Sequence, residues 1–219
     1  MKKVTFNSLI IEITHRCNMN CAHCLRGDAE NIDMKPETVD ALLDQTQAIY
    51  NLTLSGGEPF LNLDLVEHIA EGIEKRGVEL FSIGIITNGT ILDGRAIKAM
   101  KRFNRIVQNS RPRCGLKASR AAVMLGFSMD KYHEHQDLCK ANMEKYKNAS
   151  SGCYDILIKQ CGNDPSAKGR ALQLDDVKGG EHSSHSAYIE SIKDRRIEIL
   201  SGSTKPLCPE YRTAHLYND

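Results

Sequence analysis

Three cysteines lie within eight residues near the start of the chain, and their spacing is the most informative feature of the sequence. Cys17, Cys21 and Cys24 follow the pattern C-x3-C-x2-C. Three thiolates on one short loop can hold three corners of a cubane iron–sulfur cluster. Such a cluster leaves its fourth iron without a cysteine ligand and therefore open to a small molecule.

A structural zinc site is the alternative interpretation of these cysteines. Structural zinc takes four protein ligands, and His23 is the candidate for the fourth. His23 directly precedes Cys24, however, and chain geometry makes it awkward for two adjacent side chains to face one small ion. The sequence has no second C-x2-C pair, so it favours the iron–sulfur cluster.

Two glycine-containing motifs lie further along the chain. Gly56-Gly57-Glu58-Pro59 and Thr87-Asn88-Gly89 each follow a short apolar run. Glycines let a backbone approach a ligand closely, and Thr and Asn side chains donate and accept hydrogen bonds, which suits ribose hydroxyls or a substrate. An ordinary glycine turn and a helix-capping turn are the alternative interpretations of these two motifs.

Other polar residues follow the later strands. Ser128 and Asp130 are two residues apart at a predicted strand end, so their side chains point to the same face. Arg170, in the segment Lys168-Gly169-Arg170-Ala171, can pair with a carboxylate through two hydrogen bonds, or it is a solvated arginine at a helix start. His133 and His135 do not share a helical face, so we expect them at the surface or facing a substrate, not as a metal pair.

These residues need a scaffold, and the apolar patterning predicts strands that alternate with helices. Six strands are predicted, at Leu9–Thr14, Leu52–Ser55, Leu80–Ile86, Ala122–Met129, Tyr154–Lys159 and Ile197–Leu200. Five helices are predicted: one from Pro36 with an apolar face that reaches Ile49, one over Leu65–Ile73 that stops at Gly77, one capped by Asp93, one that ends near Lys147, and one around Ala187–Ile192.

This alternation predicts an α/β fold with a mostly parallel sheet. A complete eight-unit barrel takes about 250 residues, so 219 residues favour an open, partial (β/α)6 TIM-like barrel over residues 1–200, followed by a short tail over 201–219. The cysteine loop and the other motifs all follow strand ends, which share one face in a parallel array. We therefore predict a single site at that face.

The composition narrows the class of protein. With 41% hydrophobic residues, 26% charged residues and a net charge of +1, the chain is neither disordered nor collagen-like, and it contains no apolar run of the roughly 18–20 residues that a membrane helix needs. No secretory signal is evident, so we expect a cytoplasmic protein whose eight cysteines are reduced. The five cysteines outside the cluster show no paired spacing and are expected to be buried thiols.

Charge is distributed unevenly along the chain. Residues 27–74 contain eleven acidic side chains, whereas residues 95–120 contain nine Lys or Arg and no acid. The basic stretch is either a solvated helix face or a dock for an acidic substrate or electron donor. It lacks interleaved aromatic residues, which argues against a nucleic-acid partner.

The segment from Thr14 to Cys24, followed by Gly56-Gly57-Glu58-Pro59, resembles the radical S-adenosylmethionine (radical SAM) superfamily over about residues 8–175. The resemblance implies a [4Fe–4S] cluster on the three cysteines, with S-adenosylmethionine (SAM) bound to the open iron. One electron from the cluster then cleaves SAM to methionine and a 5′-deoxyadenosyl radical, which abstracts a hydrogen atom from a substrate. It also implies reduced flavodoxin or ferredoxin as electron donor.

The resemblance assigns roles to the other motifs. The backbone of residues 56–59 and the Glu58 side chain are expected to hold the methionine amino group, and the strand end that carries Ser128 and Asp130 is expected to contact the ribose and methionyl parts of SAM. The segment around Arg170 is similar to a Gly-Arg-Ala segment of peptide-modifying members.

The substrate stays open at this point. A peptide is the leading hypothesis, and a small molecule or nucleotide is the alternative, as is a glycyl-radical-enzyme activase. A non-catalytic iron–sulfur or zinc protein is the alternative outside enzymes. Tyr132, His133 and Cys161 are candidates, by position alone, for the residue that quenches or deprotonates a substrate radical.

Overall fold

Strands and helices alternate through most of the chain in a computed structural model, which describes residues 3–24, 26–115, 117, 122–159, 170, 173–174, 186–193, 196–201 and 213–216. The strands are β1 (Val4–Glu12), β2 (Thr46–Ser55), β3 (Glu79–Leu80), β4 (Ile83–Thr87), β5 (Val123–Ser128), β6 (Asp155–Lys159), β7 (Ser186–Lys193), β8 (Arg196–Ser201) and β9 (Thr213–Leu216). The α-helices are α1 (Pro36–Asp44), α2 (Leu63–Arg76), α3 (Gly94–Ser110) and α4 (Gln136–Ser150).

One sheet contains all of these strands, in the order β6-β5-β4-β2-β1-β9-β7-β8, with β3 beside β2. Each neighbouring pair is parallel except β7 and β8. The predicted fold class, an open and mostly parallel α/β sheet of the partial-barrel type, is therefore confirmed.

The register places the ends of the central strands side by side. Glu12 at the end of β1 pairs with Ser55 at the end of β2, and Thr87 at the end of β4 pairs with Phe127 of β5. The loops that carry the predicted site residues therefore leave the sheet at one edge, as expected.

The helices begin and end at the predicted signals. Pro36 opens α1, the Asp93 side chain accepts a hydrogen bond from Arg95 N at 2.7 Å to cap α3, and Gly77 ends α2 with a left-handed φ of 64°. The apolar faces of α1, α2 and α3 pack on the sheet in one core, in which Leu42, Ile69 and Met100 are fully buried.

Three sequence-based boundaries are wrong. Thr46 and Ile49 do not continue the apolar face of α1, because that helix ends at Asp44 and both residues lie in β2. The predicted strand Leu80–Ile86 is two strands, interrupted where Phe81 O accepts a hydrogen bond from Arg111 Nη1 at 3.0 Å. The predicted helix over Ala187–Ile192 is strand β7, whose backbone pairs with β8 and β9.

The C-terminal part of the chain also contributes to the sheet. β9 lies in the segment 201–219 that the sequence predicts as a tail, and it pairs with β1 and β7. The domain boundary at residue 200 stays a prediction. None of the helices in the described ranges is long and apolar enough to cross a membrane.

Ion pairs between α2 and α3 bring part of the basic stretch together with part of the acidic stretch. Arg95 forms ion pairs with Glu67 at 2.7 Å and Asp64 at 2.5 Å, and Arg102 pairs with Glu74 at 2.5 Å. Part of the basic stretch therefore neutralises acidic residues of the neighbouring helix, which weakens the hypothesis that it docks an acidic partner.

Candidate active site

The loops at the carboxyl ends of β1, β2, β4 and β5 enclose a cavity of about 410 Å³. A volume of this order is typical of small-molecule sites. Nine of the predicted site residues line it: Cys17, Cys21, Cys24, Gly56, Gly57, Thr87, Asn88, Ser128 and Arg170. The other three, Glu58, Pro59 and Asp130, lie outside the lining.

Gly56 and Gly57 bring the β2 loop into direct contact with the base of the cysteine loop. Gly57 N donates to Thr14 O at 2.7 Å, and Glu58 N donates to Arg16 O at 2.8 Å. A Cβ on Gly57 would overlap Arg16 O, and one on Gly56, whose φ is +145°, would overlap Thr14 O. The glycines therefore allow two backbones to pack together, a reason that the sequence interpretation did not include.

Glu58 is fully buried behind the cavity and joins two loops. Its Oε1 accepts hydrogen bonds from Phe60 N at 3.0 Å and Thr87 Oγ1 at 2.8 Å, and its Oε2 accepts from Asn88 N at 2.7 Å. Burial raises the pKa of the Glu58 carboxyl to about 7, although these hydrogen bonds oppose the shift. Glu58 therefore links the loop after β2 to the loop that carries Asn88, through hydrogen bonds.

Asn88 connects that loop to the cysteine loop. Its Nδ2 lies 2.9 Å from Asn18 Oδ1 and 3.8 Å from Cys17 Sγ. Its Oδ1 accepts hydrogen bonds from Thr90 N at 3.0 Å and Thr90 Oγ1 at 2.7 Å. The side chain is therefore held between two loops with its donor toward Cys17.

Helix α4 supports the same loop from behind, through two residues that the sequence analysis missed. Cys139 Sγ donates to Asn88 O at 2.9 Å, and Asn142 Nδ2 donates to Gly89 O and Thr90 O, both at 3.0 Å. Cys139 is buried, as expected of a thiol outside the cluster. Asn142 is a polar residue on the buried face of α4, and this feature could have identified it as a structural hydrogen-bonding residue from the sequence.

Arg170 fastens the cysteine loop from the far side of the cavity. Arg170 Nε donates to Cys21 O at 3.0 Å, and Arg170 N donates to Cys24 O at 2.9 Å. Its guanidinium also contacts Asn20 Oδ1 and lies 3.1 Å from Asp28 Oδ1. The rest of the Gly-Arg-Ala segment, and Cys161, lie outside the described residues.

A second arginine, Arg26, closes the cysteine loop on the sheet side. Its guanidinium hydrogen-bonds to both carboxylate oxygens of Glu12, and its Nε donates to Gly56 O at 3.0 Å. Glu12 is 4% exposed, so it needs this partner. The sequence analysis did not identify the pair, although a glutamate inside an apolar strand was a usable signal.

A group of polar rings forms the wall near β5. His23 stacks on Tyr132 with centroids 4.9 Å apart, its Nε2 lies 3.5 Å from Asp130 Oδ2, and His133 Nδ1 lies 2.8 Å from Asp130 Oδ1. His133 lies beside His23, with ring centroids 4.8 Å apart. His133 also lines the cavity, whereas His135 is exposed.

The three cysteines are half-buried and line one cavity. Within the described ranges, the one set of three His, Cys, Asp or Glu side chains with donor atoms within 4.8 Å of one another is His23, Asp130 and His133. That set contains none of the three cysteines. The residues fit an iron–sulfur cluster, whose sulfur ligands sit on different irons.

Burial raises the pKa of the Cys17 thiol and raises that of Cys21 to about 11. Both thiols therefore bind metal only with loss of a proton. Gly56 and Gly57 line the same cavity.

A family model described as "Radical SAM superfamily" matches residues 11–153, more than half of the chain. Among curated relatives, a probable GTP 3′,8-cyclase of Methanothermobacter marburgensis is 37% identical over 97 residues, 41% of this chain and 30% of that protein. A PqqA peptide cyclase of Gluconobacter oxydans is 33% identical over 100 residues, 43% of this chain and 27% of that protein. The chain thus matches less than a third of the length of these two relatives.

Two solved structures are also similar. Native anSMEcpe with bound AdoMet and a Cp18Cys peptide matches with a TM-score of 0.49 and 18% identity, over 71% of this chain and 42% of that one. Streptococcus suis SuiB bound to the precursor peptide SuiA matches with a TM-score of 0.48 and 13% identity, over 75% of this chain and 35% of that one.

Proposed function

This chain belongs to the radical SAM superfamily, and we propose that Cys17, Cys21 and Cys24 hold a [4Fe–4S] cluster that acts with SAM to remove a hydrogen atom from a substrate. When bound, the cluster and SAM supply the one-electron chemistry that converts SAM to methionine and an oxidising carbon radical. The observation that carries the proposal is the set of three half-buried cysteines on the wall of a small-molecule cavity.

The remaining cavity residues bind and orient SAM in this proposal. Gly56 and Gly57 present backbone to the ligand, while Thr87, Asn88 and Ser128 offer hydrogen bonds to its polar groups. Pro59 and Glu58 hold the loop after β2 in place from behind the cavity. Asp130 does not line the cavity, and it positions His23 and His133, which do. The support for these roles is the position of the lining residues on the cavity and the contacts of Glu58 and Asp130 behind it.

A second property of the site is the exclusion of water around the reacting groups. Met19 is 5% exposed beside Cys21, with Sδ 3.8 Å from Cys21 Sγ, and Ile86 lines the cavity between the polar residues. A dry wall protects a radical from side reactions.

We propose a peptide as the substrate class. The support is the similarity to PqqA peptide cyclases, together with the likeness of the segment around Arg170 to peptide-modifying members. A nucleotide is the second candidate, because the similarity to probable GTP 3′,8-cyclases is of the same strength. We also propose reduced flavodoxin or ferredoxin as the electron donor and the cytoplasm as the location.

The test of the proposed function is anaerobic reconstitution with iron and sulfide, followed by dithionite and SAM, with 5′-deoxyadenosine as the measured product. We expect brown protein with about four irons per chain and product that is lost in the Cys17/Cys21/Cys24→Ala variant. Bound zinc in place of iron would overturn the proposal.

The substrate class is tested in the same assay. A library of short peptides is expected to raise the rate of 5′-deoxyadenosine formation, and GTP is the matched addition for the second candidate. Stimulation by GTP alone would transfer the assignment to a nucleotide.

A further inference from the structure

Asn88 is placed to act on the electronic properties of the cysteine loop and not only on SAM. Its side-chain nitrogen lies 3.8 Å from Cys17 Sγ, within the range of an N–H···S hydrogen bond. Asn88 itself is 7% exposed, so water has little access to replace its N–H group as the donor.

The hydrogen bonds around the amide fix which end faces the sulfur. Thr90 donates twice to Asn88 Oδ1, from its backbone nitrogen and its hydroxyl, so Oδ1 is the acceptor end. The NH2 group is then directed to Asn18 Oδ1 at 2.9 Å and to Cys17 Sγ. A flipped amide would place its oxygen against Cys17 and lose the hydrogen bonds from Thr90.

The backbone of Asn88 is held from two further elements. Its N–H donates to the buried Glu58 carboxylate at 2.7 Å, and its carbonyl accepts from Cys139 Sγ at 2.9 Å. Because the loop after β2, helix α4 and the segment that follows β4 all fix one residue, the donor is preorganised before any ligand binds.

We infer that Asn88 raises the reduction potential of the cluster by donating a hydrogen bond to the sulfur of Cys17, a role that rests on the proposed function. Reduction adds negative charge that spreads to the cysteine sulfurs, and an N–H donor stabilises that charge more in the reduced state than in the oxidised state. Removal of the donor therefore makes the cluster harder to reduce.

The test is an EPR-monitored redox titration of the reconstituted full chain, without SAM, after iron analysis of every sample. The variants are Asn88→Ala, which removes the donor, and Asn88→Asp, which keeps the size and the acceptor for Thr90 but turns a carboxylate oxygen to Cys17. The matched control is Asn142→Ala, because Asn142 holds the same loop without contacting the sulfur.

We expect Asn88→Ala to lower the ratio of reduced to oxidised cluster at a fixed solution potential about fivefold, as for the loss of one hydrogen bond. Asn88→Asp is expected to lower it further, and Asn142→Ala to leave it unchanged. Native midpoints in both Asn88 variants, or an equal shift in Asn142→Ala, would overturn the inference. A native chain that takes up no iron would overturn the proposed function, and iron analysis distinguishes that result from a failure of the inference about Asn88.

A second measurement does not depend on the stability of the alanine variant. Pulsed ENDOR of the native reduced cluster in H2O and D2O is expected to show an exchangeable proton near a cysteine sulfur that Asn88→Asp lacks. An identical exchangeable signal in both proteins would contradict the assignment.

Discussion

The facing surfaces of α2 and α3 and the loops at the strand ends are both rich in polar residues, but they differ in exposure and in partner. Arg95 is 46% exposed and pairs with Asp64, which is 88% exposed. Glu58 is 0% exposed and accepts two of its three hydrogen bonds from backbone groups. Exposed ion pairs contribute little to stability because solvent screens them, whereas the loss of a buried acceptor leaves its donors unsatisfied. Charged side chains therefore contribute little to stability between α2 and α3, whereas in the loops at the strand ends they hold the structure together.

The largest expected effect is at a position without a side chain. Gly57→Ala places a methyl group against Arg16 O, and backbone on both sides cannot shift without breaking the contact between the loops. We expect a loss of about 3 kcal/mol in the free energy of unfolding, measured by urea denaturation of the metal-free chain. Gly94→Ala is the control, because a methyl group there meets no atom within 4 Å. Equal midpoints for the two variants would contradict this account.

Glu58 gives the next effect, as a pH dependence. Its pKa rises from 4.5 to about 7 on folding, so the folded state binds its proton more tightly than the unfolded state does. The contribution of Glu58 to stability therefore falls as pH rises from 4.5 to 7, by at most about 3 kcal/mol, and is constant above that range. Urea titrations across these pH values are expected to show the fall in the native chain and a flatter profile in Glu58→Gln. Parallel profiles would contradict the prediction.

Arg170 gives a smaller and more local effect. Arg170→Met removes the guanidinium from Cys21 O and Asp28, and we expect a loss of about 1 kcal/mol in stability with faster release of iron to a chelator. Arg95→Met is the control from the other region. Release of iron at the same rate from both variants would show that Arg170 does not hold the loop.

The smallest effect is expected between α2 and α3. Arg95→Ala breaks the contacts with Glu67 and Asp64, yet all of these side chains are well exposed. We expect the thermal midpoint of the variant to equal that of the native chain within the error of the measurement, both in low salt and in 1 M salt. A clear loss of stability at low salt would erase the difference between the two regions.

The sequence predicted the elements whose signals are local. Pro36, Asp93 and Gly77 mark helix ends through their own backbone preferences, and the structure confirms each. The apolar spacing over Ile49 was misleading because a helical periodicity continued by chance into β2. The segment over Ala187–Ile192 was misread as well, because the pairing of β7 with β8 and β9 is a long-range property.

The candidate site shows the same division. The cysteine spacing and the glycine motif were recognisable because their chemistry lies within a few residues of sequence. The contacts of Asn142 with Gly89 and of Arg170 with Cys21 join residues 53 and 149 positions apart. No local pattern encodes such contacts, so they became visible only in the fold.

The position of β9 has a consequence for the synthesis of the protein. β1 is hydrogen-bonded on one side to β2 and on the other to β9, which begins about 200 residues after β1 ends. At translation rates of roughly 5–20 residues per second, one edge of β1 stays unpaired for about 10–40 s after it leaves the ribosome. An apolar strand with a free edge is a template for aggregation, so a chaperone bound to the newly made chain would protect β1 until β9 is synthesised.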